Sequence, residues 1–129
     1  MLPNAKRTRI KNHVLGQAYD LSFAFIDSKK SQELNWRYRQ KDKPADVLSF
    51  PLAPNLGEIL IDKNAVTTEA EALFLFIHGA LHLKGCAHSS KMENKEQELV
   101  KLFSIANEKH HHRFGYRKLR HQDCGSGNS

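Results

Sequence analysis

Cysteine is nearly missing: Cys86 and Cys124 are the only two in 129 residues, and they form no C-x-x-C pair. The chain therefore offers no disulfide framework and fits a reducing, cytoplasmic setting. Long hydrophobic runs are missing too. The longest, Ala72 to Ile77, is far too short to cross a bilayer, and no apolar stretch of the kind found in export signals follows the basic start. Internal repeats and interdomain linkers are absent. Acidic residues are the minority, 14 against 20 Lys and Arg, for a formal net charge of +6. That balance favours an anionic partner such as RNA, DNA or an acidic surface, without choosing among them. At this length one domain is expected, burying about two-thirds of its unfolded surface around a single core. We place it over residues 1–116, with 117–129 a basic, then Gly/Ser-rich, disordered tail.

What is present reads in order along the chain. Ile10, Val14 and Ala18 recur at helical spacing within a basic first segment. Leu21, Phe23 and Phe25 alternate, the period of a half-buried strand. Asp27-Ser28 is placed to cap a short helix through Leu34, followed by the charged, aromatic stretch Asn35 to Pro44. That stretch reads either as a solvated loop or as a basic, aromatic lip that holds phosphate and stacks bases. Asp46–Pro51 and Gly57–Asp62 are β-rich runs separated by Pro54-Asn55, with Pro51 expected to end the first. Thr68-x-x-Glu71 is a capping box, and Val66, Ala70, Leu73, Ile77 and Leu81 trace the apolar stripe of the helix it opens. Ser90-x-x-Glu93 opens a last helix with Leu99, Leu102, Phe103 and Ala106 on its inner face, running to about His110–His112.

Chemistry concentrates in the segment from Phe76 to His88. His78 and His82, spaced i and i+4, fall on one helical face and can aim two imidazoles at a common point. Gly85 suits the left-handed residue that ends a helix, and the turn beyond it can supply His88 as a third imidazole. Three neutral imidazoles would leave a divalent ion its charge and an open position for water, the pattern of a catalytic rather than a structural site. Imidazole accepts zinc, nickel, copper and iron alike, so spacing alone does not choose the metal. The spacing also matches the zincin pattern H-E-x-x-H-x-x-G-x-x-H, except that Gly79 stands where those peptidases keep a glutamate base. The consecutive His110, His111 and His112 point in three directions on a helix and cannot converge in this way.

Several segments together resemble the YbeY family of bacterial endoribonucleases of rRNA maturation. They are Leu34-Asn35-x-x-Tyr38-Arg39-x-Lys41-Asp42-x-Pro44-x-Asp46-Val47-Leu48-Ser49-Phe50-Pro51, then Gly57-Glu58-Ile59, then His78-Gly79-x-Leu81-His82-Leu83-x-Gly85-x-x-His88. They run in family order over the central half of the chain. The resemblance implies an α+β fold, a single small domain with a short mixed sheet packed by helices and a zincin-like metal helix. It implies one Zn2+ per chain held by His78, His82 and His88, and Arg39 as the family's functional arginine. It further implies metal-dependent cleavage of single-stranded RNA in the cytoplasm, with rRNA and ribosomal particles as partners and no membrane.

The chain departs from the family pattern at four positions: Cys86-Ala87 in place of Tyr-Asp, Glu58 in place of Asp, and Ala45 in place of Thr. Loss of a carboxylate that orients a ligand costs about 10–100-fold in affinity or activity, and Glu58 is the candidate to compensate. The region before Tyr19 is shorter than the family's usual opening, consistent with a missing edge strand. Two other functions compete with the nuclease. A zincin-like metallopeptidase fits the histidine spacing but lacks the acid at Gly79, and a non-catalytic RNA- or ribosome-binding protein fits the altered positions 86 and 87.

Overall fold

The computed structural model describes residues 2–85 and 90–103. Their elements are α1 (Asn4–Leu15), β1 (Asp20–Ile26), α2 (Ser28–Arg39), β2 (Val47–Ala53), β3 (Leu56–Asp62), a 3-10 turn (Lys63–Ala65), α3 (Glu69–Lys84) and α4 (Ser90–Leu102). The sheet has the order β1-β3-β2, with β1 parallel and β2 antiparallel to the central β3. This is the mixed sheet and α+β architecture expected. No helix of the described residues is long and apolar enough to cross a membrane.

Strand alternation divides β3 between two layers. Ile59 and Ile61 enter the main core with α3, while Leu60 enters a smaller cluster with Ala45 and Leu48 beneath α2. Helix α3 is buried without interruption from Glu71 to Leu81, rather than along a single stripe. The reason is its position: α1, α4 and the sheet all pack on it, so no face is left for water. Val66 precedes the helix but is buried in the same core. The Thr68 hydroxyl accepts from the Glu71 amide at 3.1 Å, and the Glu71 carboxylate accepts from the Thr67 amide at 2.7 Å. The capping box therefore forms, with its return bond reaching one residue further back than the usual pattern.

Four sequence expectations shift. Helix α1 stops at Leu15, leaving Ala18 exposed and outside it. Helix α2 continues through half of the stretch read as loop or lip, ending at Arg39. Polar side chains hold it there: Ser31 Oγ donates to Ala45 O at 2.6 Å and Asn35 Nδ2 to Lys43 O at 2.8 Å. These bonds fasten the segment before β2 along the buried side of the helix, where an apolar stripe would normally be sought. Pro51 does not end β2, because β2 is an edge strand and can tolerate a residue without an N–H; the irregularity comes between Pro51 and Ala53. In α4, Leu99 is buried and Phe103 packs on the core as expected, but Leu102 is 55% exposed, and Met92, Glu96 and Val100 complete the inner face. Ala106, the His110–His112 cluster and the tail lie outside the described residues.

Candidate metal centre

His78 and His82 do converge. Their Nε2 atoms lie 3.1 Å apart, with the rings edge to face at a centroid distance of 4.5 Å. Two nitrogens bound to one tetrahedral zinc at 2.0–2.1 Å would stand about 3.3 Å apart, so this spacing fits two ligands of one ion. Gly85 ends α3 as expected, at φ 97° and ψ 15°, with its N–H returned to His82 O. Cys86, Ala87 and the third proposed ligand, His88, lie outside the described residues, as does His111. Among the described residues no three His, Cys, Asp or Glu side chains gather into a metal cage.

Behind His78 lies a residue the sequence reading did not single out. Glu96 of α4 is fully buried and its carboxylate meets His78 Nδ1 at 2.5 Å. With the carboxylate ionised it can only accept, which would put the proton on Nδ1 and turn the Nε2 lone pair of His78 toward His82. A histidine fixed in this way by a carboxylate is the usual support of a metal-binding imidazole. The sequence signal was available: Met92, Glu96, Leu99 and Phe103 follow helical spacing, so Glu96 is a charge set in an apolar stripe.

The orientation of α3 follows from its neighbours. A Cβ on Gly79 would lie 2.9 Å from Ser49 Oγ on β2 and 3.2 Å from Ile59 Cγ2 on β3, so this position faces the sheet. Phe76 packs against Phe23 of β1. At about 100° per residue, Phe76 stands roughly 60° to one side of Gly79, and His82 and His78 roughly 60° and 100° to the other. The imidazoles therefore lean toward the β2 edge, away from β1. Gly79 is thus a packing position under the sheet. A glutamate there would drive its side chain into Ser49 and Ile59, which removes the acid on which the peptidase reading depends.

Arg39 is the last residue of α2, on the opposite face of the sheet from α3. It is partly buried, its Nη1 donates to Asn35 Oδ1 at 3.3 Å, and burial holds its pKa below the ordinary arginine value. Arg37, by contrast, is exposed and only 4.0 Å from the exposed Glu33 carboxylate. Glu58 does not stand in for the missing carboxylate at position 87. Alternation along β3 sends it to the α2 side, where it lines a groove with Phe50 and Tyr38.

Comparison with known proteins bears on the same segments. The sequence model of the family described as Endoribonuclease YbeY matches residues 4–104. A Campylobacter jejuni protein of that description is 37% identical over 103 residues, covering 67% of this chain and 77% of its own length. One from Carboxydothermus hydrogenoformans is 36% identical over 109 residues, covering 70% and 76% respectively. A solution structure of a Thermotoga maritima protein superposes with a TM-score of 0.53 at 30% identity, covering 77% of each chain.

Proposed function

We infer the function of this chain from its family: it belongs to the YbeY endoribonucleases. We propose the finer reading that it cleaves single-stranded RNA in rRNA maturation and ribosome quality control, acting in the cytoplasm on ribosomal particles. His78, His82 and His88 would hold one divalent ion, zinc by the chemistry of three imidazoles and by availability. The observation that carries this is the 3.1 Å approach of the His78 and His82 Nε2 atoms with a buried carboxylate behind the first.

When bound, the metal supplies Lewis-acid activation of a phosphoryl oxygen or of water. The chain's own residues do the rest. Glu96 keeps the His78 proton on Nδ1 and its ring in place. Asn35 steadies the Arg39 guanidinium at the end of α2, where two parallel N–H donors suit a phosphate of an RNA strand that crosses the β2 edge. The net charge of +6 draws the polyanion in. Packing at Gly79 argues against the peptidase alternative.

The test pairs metal analysis with an RNA cleavage assay before and after chelation. About one divalent ion per chain is expected, with cleavage lost on chelation and restored on reloading. His82→Ala should lose the metal while His111→Ala keeps it; equal metal content in both would overturn the ligand assignment. RNA binding that survives complete metal removal, with no cleavage at any stage, would favour the non-catalytic reading.

A further inference from the structure

The face of the sheet turned away from α3 is only partly covered by α2. Leu48 and Ala45 are sealed beneath it, but from Ile26 and Leu60 toward the β2–β3 hairpin the cover gives out. A groove of about 410 Å³ opens there between Leu34 and Tyr38 of α2 and Phe50, Leu52 and Glu58 of the sheet, with Lys30 on its wall. Tyr38 is 58% exposed and Leu52 60% exposed, so two large side chains are left open to a partner. Tyr38 and Phe50 meet edge to face at 5.3 Å, an arrangement that leaves ring surface free for a further aromatic.

Glu58 is out of character with this setting. Its cross-strand neighbours are Ser22 and Phe50, neither of them cationic, and among the described residues no side chain donates to its carboxylate or pairs with it. Lys30 lines the same groove but lies 3.9 Å from Glu33, a half-exposed contact of the kind that contributes little and is readily exchanged. The groove thus combines an aromatic wall, a carboxylate with two adjacent acceptors and a cation. A cationic peptide, the protein partner Glu58 would call for, is opposed by Lys30 and by the net charge of +6. A nucleotide satisfies all three features: its base stacks, its edge donates and its phosphate is anionic.

We propose that this groove is a base-binding subsite that takes an unstacked guanine, with Tyr38 and Phe50 against the ring and Glu58 on its Watson–Crick edge. Guanine alone among the four RNA bases presents two adjacent donors there, N1–H and the N2 amine, which match the two oxygens of a carboxylate. In adenine and cytosine the amine stands beside a ring-nitrogen lone pair that repels the second oxygen, and in uracil a single N–H lies between two carbonyls. The subsite rests on the RNA reading above and adds sequence preference to it. Consecutive residues of β2 border both regions, Phe50 in the groove and Ser49 against Gly79 of the metal helix, so one RNA strand passing over this edge strand can engage both.

The test uses the full chain. GMP and UMP are titrated while the methyl signals of Leu34, Leu52 and Leu60 are followed by NMR, and the pentamers UUGUU and UUUUU are compared by fluorescence anisotropy. GMP is expected to move these signals at least about tenfold more tightly than UMP, and UUGUU to bind about tenfold more tightly than UUUUU. Glu58→Gln, with its native fold checked by its amide spectrum, should collapse that ratio to about threefold or less. Equal binding of the two pentamers, or GMP binding that leaves the groove signals fixed, overturns the subsite even if RNA is cleaved. Groove binding of GMP by a chain that cleaves no RNA keeps the subsite and removes the nuclease proposal. Groove signals moved by an amphipathic peptide and by neither nucleotide would assign the face to a protein partner and overturn the proposal.

Discussion

His78 Nδ1 and the Glu96 carboxylate meet at 2.5 Å with both side chains sealed from solvent. The contact joins α3 to α4 across 18 residues of sequence and, with the carboxylate ionised, would leave Nε2 as the nitrogen of His78 free to bind. Replacing Glu96 by Gln keeps the shape but removes the charge that favours the Nδ1–H tautomer. Metal affinity is expected to fall about 10–100-fold, with the fold retained. Competition against a chromophoric chelator measures this, and an unchanged affinity would strip Glu96 of its role.

Gly79 tests the packing of α3 on the sheet. Alanine brings better helix propensity, worth about 1 kcal/mol, but places its Cβ where Ser49 Oγ now donates to Gly79 O, so a change within about 1 kcal/mol is expected. Glutamate must force a charged side chain against Ile59, and Gly79→Glu is expected to lose about 3 kcal/mol or more. Urea unfolding of both variants provides the comparison. A glutamate variant as stable as the parent would mean the helix rides further from the sheet than the 2.9 Å approach implies.

Asp46 should make stability depend on pH. Burial, and next the Asp62 charge, push its carboxyl up to about 6 from an ordinary 3.8. The native state then binds more protons than the unfolded chain between about pH 4 and pH 6, so this residue's contribution to stability falls as pH rises through that window. The penalty is complete above it. Allowing for the group's partial exposure, Asp46→Asn is expected to gain about 1–2 kcal/mol near pH 8 and nothing near pH 4. Denaturant midpoints of variant and parent at the two pH values measure the gain; an equal gain at both would mean that the effect is not ionisation.

Arg39 and Arg37 differ in a way that single-turnover cleavage at saturating RNA can read. Arg39 is partly buried and bonded to Asn35, while the Arg37 side chain is 61% exposed. Arg39→Lys is expected to keep most RNA affinity but lower the rate, because an ammonium lacks the two parallel donors of a guanidinium. Arg39→Ala should be slower, by about tenfold or more, with metal content unchanged, and Arg37→Ala should stay near the parent. An unimpaired rate in Arg39→Ala would remove this residue from the mechanism.

Local information carried much of this protein. The 3.6-residue period placed His78 and His82 on one face, Thr68 and Glu71 marked the start of their helix, and Gly85 marked its end, because each of these is decided within a turn or two of chain. The same holds for alternation in β1 and for the hairpin at Pro54-Asn55. The motifs resembling the YbeY family were likewise legible, and the family match over residues 4–104 agrees with them.

What only the tertiary structure decided are relations between distant segments. The length of α2 was hidden because Ser31 and Asn35 anchor it by hydrogen bonds to residues 43–45, and polar clasps leave no hydrophobic period. Glu96 became a partner of His78 only when α4 folded onto α3. The side of the sheet on which Glu58 lies depends on strand register, in which one step reverses every side chain, and that register placed it in the α2 groove, away from the histidines. Gly79 could be seen in the sequence as a missing acid, but the reason it is glycine is the close approach of Ser49 and Ile59, two side chains from strands that no local pattern connects to it.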